Sequence, residues 1–441
     1  MTPVVQPTPN VLARPTLLTR RLLVALAFAC IAGDVATAQA RPAFRPAASA
    51  EAAGFSAARL ARIDSLVLGA VERGEVNGAV VHIVRNGRVV MYRAYGVRDT
   101  ETKVPMRRDD IFRIASQSKA ITALAVMMLW EEGHFSLDEP ISRLLPEFAE
   151  PRVMTTFNAA DSSTISEPAN REITVRQLLT HTSGLDYAAI GSADFRALYA
   201  KHGVPSGIGS NRFTIGDRMR VLGRLPLRAR PGERYTYSLS YDVLGYLVEV
   251  VSGMPFDQFL RTRIFEPLRM RDTWFYLPPD RHERLVTLHD GESGRAVPMR
   301  GTAFDGVDPN YPRLAGTYFS GGAGLSSTVE DYARFLQLFL NKGELDGVRL
   351  LSPRTVEMML TDQLPTMTDK VGLGFGLETA ANDFRSPRSV GAFSWGGAFR
   401  TTYWADPRDG LIAQIYTNMV NPAGRDLAGQ FTTLTYAAML R

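Results

Sequence analysis

The sequence predicts an α/β protein of the α+β kind. One antiparallel sheet is built from both ends of the chain and flanked by helices, and a mostly helical region is inserted between. Three observations carry this. Near the start, the apolar runs Ala79–Val84 and Val89–Arg93 flank Asn86-Gly87, a dipeptide suited to the positive-φ turn of a hairpin. Near the end, Val371–Glu378, Ala398–Ala405 and Leu411–Asn418 read as strands, with Asp406-Pro407-Arg408-Asp409-Gly410 as a turn between the last two. Between about residues 115 and 290 apolar residues recur at helical spacing, separated by long loops. Strands at both ends with helices between describe one sheet that both termini build.

The elements follow in chain order. Met1–Ala40 reads as an export signal: Arg14, Arg20 and Arg21 precede the apolar run Leu22–Ala32, and Ala38-Gln39-Ala40 offers a small-residue cleavage site. The apolar run is too short to span a membrane, and nothing later reaches ~18 apolar residues, so no transmembrane anchor is expected. Cleavage after Ala40 gives a periplasmic or secreted chain, with residues 41–441 as one catalytic domain. Arg20-Arg21 hints at twin-arginine export. Ala47–Gly74 is predicted helical, with Ser56 as a cap and Leu60, Ile63, Leu66, Ala70 and Val71 on one face. Met154–Asn170 is polar and without period, an excursion. Thr174-Val175-Arg176-Gln177 has capping-box spacing. Tyr241–Val251 is periodic and stops at Gly253. Ser327-Thr328-Val329-Glu330 reads as a second capping box, opening a helix that runs through Leu340. Asp426–Leu440 is the closing helix.

Composition narrows the function. With 45% hydrophobic and 22% charged residues the chain has the makeup of a folded globular protein. The net charge is +5, of which the first 40 residues carry +2, and no basic block stands out, so nucleic-acid binding has little support. The single cysteine, Cys30, lies in the signal. A chain cut after Ala40 has no thiol, which excludes cysteine nucleophiles and zinc–thiolate sites; the surroundings of Cys30 make a poor lipoprotein signal.

The chemistry centres on Ser116-Gln117-Ser118-Lys119, which runs into the apolar stretch Ile121–Trp130. Positions i and i+3 share a helix face, so Lys119 stands beside the Ser116 hydroxyl. A serine at the mouth of a helix also lies among unpaired backbone N–H groups at the positive end of the dipole, which favours an oxyanion. The chain holds five lysines (103, 119, 201, 342, 370) among 50 cationic residues, the rest arginine. A buried lysine can act as a base; a guanidinium cannot. The plain alternative is a cap followed by a solvated cation, although a lysine in the first turn opposes the dipole.

Two further segments supply what such a pair needs. Tyr237, in the turn-rich Pro231-Gly232-Glu233-Arg234-Tyr235-Thr236-Tyr237-Ser238-Leu239, offers a phenol to relay protons. Tyr235 and Tyr241 offer the same group, and spacing does not choose among them. In Trp395-Gly396-Gly397-Ala398 the glycines permit close backbone approach to a ligand. The N–H of Ala398 could join that of Ser116 as an oxyanion hole; a simple bend in a strand fits equally well. The chain has no G-x-S-x-G; Ala392-Phe393-Ser394-Trp395-Gly396 comes nearest. None of the six histidines has metal-site spacing. His181, after the predicted helix, reads as a structural end residue. Gly321-Gly322-Ala323-Gly324 lacks the pattern of a nucleotide loop.

Together these residues resemble the serine β-lactamase and penicillin-binding-protein superfamily, class C-like branch, most closely the family VIII carboxylesterases. Ser116–Lys119 matches S-x-x-K, Tyr237-Ser238-Leu239 stands where Y-x-N is expected, and Trp395-Gly396-Gly397 stands where K-T-G is expected. Leu178–Leu185 and Gly321–Ser327 are also similar to the family. The resemblance implies a β-lactamase-like fold, with the sheet region at about 47–114 and 300–441 and the helical region at about 115–299. It implies Ser116, Lys119 and Tyr237 as catalytic residues, with Leu239, Trp395, Gly396 and Gly397 against the substrate. No cofactor or metal is implied. Where β-lactamases carry an amide and a lysine that hold the substrate, this chain carries Leu239 and Trp395, as the esterases do. Lys370-Val371-Gly372 opens a strand too early to replace K-T-G. The expected activity is hydrolysis of small-molecule carboxylic esters of short or medium acyl chains. A β-lactamase or D-alanyl-D-alanine carboxypeptidase, an acyltransferase and a silent cell-wall-binding relative are the alternatives.

Overall fold

In the computed structural model, residues 1–4, 44–209, 212–303, 306–422 and 424–440 are described. Residues 5–40 of the predicted export segment, Cys30 among them, lie outside the described residues. Among the described residues, seven strands form the main sheet: β1 (Arg45–Pro46), β2 (Gly78–Arg85), β3 (Arg88–Gly96), β4 (Gly376–Leu377), β5 (Phe393–Gly397), β6 (Thr401–Asp406) and β7 (Leu411–Tyr416). Their order is β1-β3-β2-β7-β6-β5-β4. The join between the chain's two ends is the antiparallel pair β2–β7, in register from Arg85↔Leu411 to Val80↔Tyr416. The β2–β3 hairpin turns on Asn86 (φ 50°) and Gly87 (φ 71°), the positive angles that the sequence asks for.

The side chains of β2 and β7 alternate between two cores. Val80, Val84, Ile412 and Tyr416 face the large helical body, where α2 (Ser118–Glu131), α3 (Ser240–Ser252) and α4 (Val329–Leu340) pack. Ala79, Val81, Ile83, Ala413 and Ile415 face α1 (Ala57–Glu72) and α5 (Leu427–Ala438). Both faces are covered, so these strands read as unbroken apolar runs rather than an alternation. α2 is buried along nearly its whole length, from Ser118 to Leu129. Only a helix threaded through a core can be apolar all round.

Several predicted bounds shift for identifiable reasons. The first helix starts at Ala57, where Ser56 accepts the Arg59 N–H (3.3 Å); residues 51–53 form a separate 3₁₀ turn. The fourth helix is capped by Thr328, which accepts from Asp331 N–H, so the predicted Ser327–Glu330 box does not form. Asp331 instead turns its carboxylate to Asp272 N–H and Thr273. Residues 152–158 and 163–168 pair as a hairpin rather than an excursion. Most of this hairpin's side chains are exposed, so no apolar period marked it. Val371–Glu378 contributes only Gly376–Leu377 to the sheet, because Gly374 (φ 101°) bends the segment back. Residues 398–400 are the turn before β6, and the glycine pair belongs to β5.

His82, in the middle of β2, is buried against Tyr92 and Gln414. Burial pushes its pKa down to about 3. The unfolded chain takes up a proton near the ordinary value of 6.5, so below that pH it binds more protons than the folded chain, and stability falls. The stability difference between wild type and His82→Met is expected to drop by about 2 kcal/mol between pH 7 and pH 5. Urea titrations of both proteins at the two pH values check this.

Candidate active site

Ser116 is presented by a short strained turn. Phe112–Arg113 pairs with Ser326–Ser327, and Ile114 N–H donates to the Leu325 carbonyl (3.0 Å). Ala115 then takes φ 42°, a left-handed conformation that costs a residue with a Cβ roughly 1 kcal/mol or more. Ser118 holds this turn, donating to the Ala115 carbonyl (2.7 Å) and accepting from Leu325 N–H (3.1 Å). Ser116 lies in a 3₁₀ turn, residues 115–117, just before α2, and Lys119 lies in the first turn of α2. From Ile111 to Leu129 every residue but Ser116 is buried. The backbone thus brings one hydroxyl out of an otherwise closed core.

Two groups converge on that hydroxyl. Tyr237 OH donates to Ser116 Oγ at 2.7 Å, and Lys119 Nζ lies 3.3 Å from the same oxygen. Lys119 is 2% exposed. Its amine donates to the Gly322 carbonyl (2.7 Å), lies 3.5 Å from Tyr187 OH and sits 4.6 Å above the Tyr237 ring. Spacing could not choose among the three tyrosines, but geometry does. Tyr241 OH donates to the Leu179 carbonyl, and Tyr235 packs edge-on to His181.

Behind Lys119 lies a buried carboxylate. Asp242, in the first turn of α3, accepts from Gly322 N–H (2.9 Å), Ser320 Oγ (2.6 Å) and Tyr318 OH (3.0 Å). Burial raises its pKa; the three donors and the nearby Lys119 act the other way. Gly322 therefore touches Asp242 with its N–H and Lys119 with its carbonyl, placing an acid and an amine on either side of one residue. Gly321 packs against the Tyr241 carbonyl, where a Cβ would collide.

β5 lies against the Ser116 turn. Gly397 makes this possible: a Cβ there would fall well inside contact distance of the Ile114 carbonyl oxygen and Thr401 Oγ1. At Gly396 a Cβ would meet nothing nearer than the Thr401 carbonyl at 3.6 Å. Gly397→Ala is expected to force β5 off the turn and lower kcat about 10²-fold, whereas Gly396→Ala should cost less than about fivefold. Steady-state kinetics on the two variants check the contrast. Ala398 is exposed in the following turn. Trp395 is half-buried, its ring stacked 6.1 Å from that of Tyr237.

Leu239 is a correction. It is 1% exposed, packs in the main core and begins α3, so its side chain offers a substrate no surface. Lys370 is tied to Asp362 (3.2 Å) and to the carbonyls of Pro365 and Leu364. Sequence reasoning missed Tyr187, Gly322 and Asp242. Asp242 did leave a signal, a lone carboxylate inside the apolar run Tyr241–Val251. A cavity of about 790 Å³ opens among Ala188, Arg196, Ile208, Arg212, Val307 and Leu314. Ile208 from its wall shares a buried cluster with Ala115, next to Ser116.

A strained serine turn, a buried lysine at i+3 and a phenol on the same oxygen define a serine hydrolase of the β-lactamase type. The Beta-lactamase family profile matches residues 63–436, and the chain belongs to that family. It is 35% identical to the esterase EstB of Burkholderia gladioli, over 84% of this chain and 94% of that protein. It is 30% identical to a lovastatin esterase of Penicillium rubens, over 83% of this chain and 94% of that protein. Among solved structures, EstCE1, a hydrolase with promiscuous acyltransferase activity, superposes with a TM-score of 0.74 at 28% identity, covering 86% of this chain and 98% of its own.

Proposed function

We propose that the chain is an exported carboxylesterase acting on small esters of short or medium acyl chains. The observation that carries this is the convergence of Tyr237 OH and Lys119 Nζ on Ser116 Oγ. The reacting form carries Tyr237 as a phenolate beside the Lys119 ammonium; Ser116 Oγ attacks the ester carbonyl and gives its proton to the phenolate oxygen. The Lys119 ammonium, lying over the Tyr237 ring, balances the phenolate charge before that transfer. The backbone N–H groups of Ser116 and Ala398 hold the tetrahedral oxyanion. The C–O bond to the alcohol breaks, the pair returns the proton to the departing oxygen, and an acyl-enzyme remains. Water then attacks it by the same steps in reverse.

Trp395 supports an ester over a β-lactam, because an indole stands where β-lactamases carry the lysine that holds the substrate carboxylate. The cavity beside Ala188 and Ile208 is the proposed seat of the substrate's larger group. The promiscuous acyltransferase activity of the similar hydrolase EstCE1 favours a second outcome: the same acyl-enzyme passing its acyl group to an alcohol instead of water. Export rests on the basic, apolar and small-residue pattern of Met1–Ala40. Among the described residues no helix is long and apolar enough to cross a membrane. Labelling with a fluorophosphonate, followed by peptide mapping, tests the proposal. The adduct is expected on Ser116; an adduct on any other residue would remove the proposed nucleophile.

A further inference from the structure

We propose that His181 is the positioning residue for Tyr237, gripping the backbone on both sides of it and so setting the phenol on Ser116. This rests on the assignment of Tyr237 to the proton-relay role. The helix Val175–Leu179 ends just before it, and His181 takes φ 56°. Histidine, with Asn and Asp, adopts that left-handed conformation more readily than other residues with a Cβ. From there His181 makes two bonds to one loop. Its carbonyl accepts Thr236 N–H at 2.7 Å, and its Nδ1 accepts Ser238 N–H at 3.2 Å. Thr236 and Ser238 are the neighbours of Tyr237, so the two bonds bracket it. The imidazole ring also lies against the phenol, with centroids 4.6 Å apart.

The surroundings keep this grip in one state. With Nδ1 accepting, the ring proton is on Nε2, which is buried with no hydrogen-bond partner among the described residues. The rings of Tyr235 and Tyr241 lie 5.8 and 5.1 Å from the imidazole. Burial and the charge of nearby Lys119 hold the imidazole well below its ordinary pKa, so it stays neutral and Nδ1 stays an acceptor. The hydroxyls of Ser183, Ser240 and Ser238 run as a chain at 2.8 Å spacing to the same point, with Ser238 Oγ 3.3 Å from Nδ1. His181 has no hydrogen bond to Ser116 or Lys119 among the described residues; it acts through Tyr237.

The experiment compares His181→Gly with His181→Asn in the full chain, with Tyr237→Phe alongside. Glycine and asparagine both accept the left-handed backbone, but only asparagine offers an oxygen to Ser238 N–H. Turnover of p-nitrophenyl butyrate is measured at temperatures where circular dichroism shows each variant folded. His181→Gly is expected to lose about 10²-fold in kcat with KM within about threefold, the cost of misplacing a catalytic group by about an ångström. His181→Asn is expected to recover at least about tenfold of that loss. Equal losses in the two variants, or no loss in His181→Gly, would overturn the inference. Should His181→Gly fail to fold, His181→Asn decides alone: more than about a tenth of wild-type kcat supports the grip, and less overturns it. If Tyr237→Phe loses activity while His181→Gly does not, only the His181 inference falls. If Tyr237→Phe keeps wild-type activity, the role of Tyr237 falls with it.

Discussion

Ser116→Ala is expected to lower kcat/KM for p-nitrophenyl esters by about 10⁴-fold or more and to abolish fluorophosphonate labelling, with the fold intact. The size follows from the route. Without Oγ there is no atom to carry the acyl group, and only binding and the oxyanion donors remain to assist water. The fold survives because the turn does not depend on the hydroxyl. The turn is held by Ser118 bonding to Ala115 and Leu325, by the Phe112–Ser327 pairing and by the buried run of α2. Of the two groups freed by the substitution, Lys119 Nζ still donates to the Gly322 carbonyl, and Tyr237 is partly exposed, so its OH can turn to water. The melting temperature is therefore expected to move little, by the equivalent of about 1 kcal/mol or less. A Ser116→Ala protein that melts normally yet retains a tenth of the activity would require another nucleophile.

Much of this site was legible because its chemistry is local. Ser116 and Lys119 are three residues apart on one helix entrance, and their spacing implies their contact. The sheet was legible where local turn chemistry and apolar runs agree, as at Asn86-Gly87 and in β7. What was not legible depends on contacts between distant segments. Asp242 is linked to Lys119 by hydrogen bonds through Gly322, a residue 80 positions from Asp242 in the chain. Leu239 shows the reverse error: its place in a motif suggested a substrate contact, while its side chain turns into the core. β5 was hidden because two of its five residues are glycine, which strand propensity disfavours; they are there for close approach to Ile114. The hairpin at 152–168 escaped because neither face is buried, so burial left no period to read.

The second large effect concerns the substrate. A β-lactam carries a carboxylate, and a charge-assisted hydrogen bond to it contributes on the order of 1.5–3 kcal/mol. The resemblance to β-lactamases puts Trp395 at the position of that cation; its ring is stacked beside Tyr237, and Lys370 is engaged elsewhere with Asp362. Leu239 has no side-chain amide and is buried, so it offers the substrate no polar contact either. Losing the cation alone is worth about ten- to hundredfold in kcat/KM, all of it against the anionic substrate. A neutral ester loses nothing, and its apolar groups gain the indole surface. The direct measurement is kcat/KM for p-nitrophenyl butyrate and for a chromogenic cephalosporin on the same purified protein. A preference for the ester of about 10²-fold or more is expected. Rapid turnover of the cephalosporin with none of the ester would contradict it.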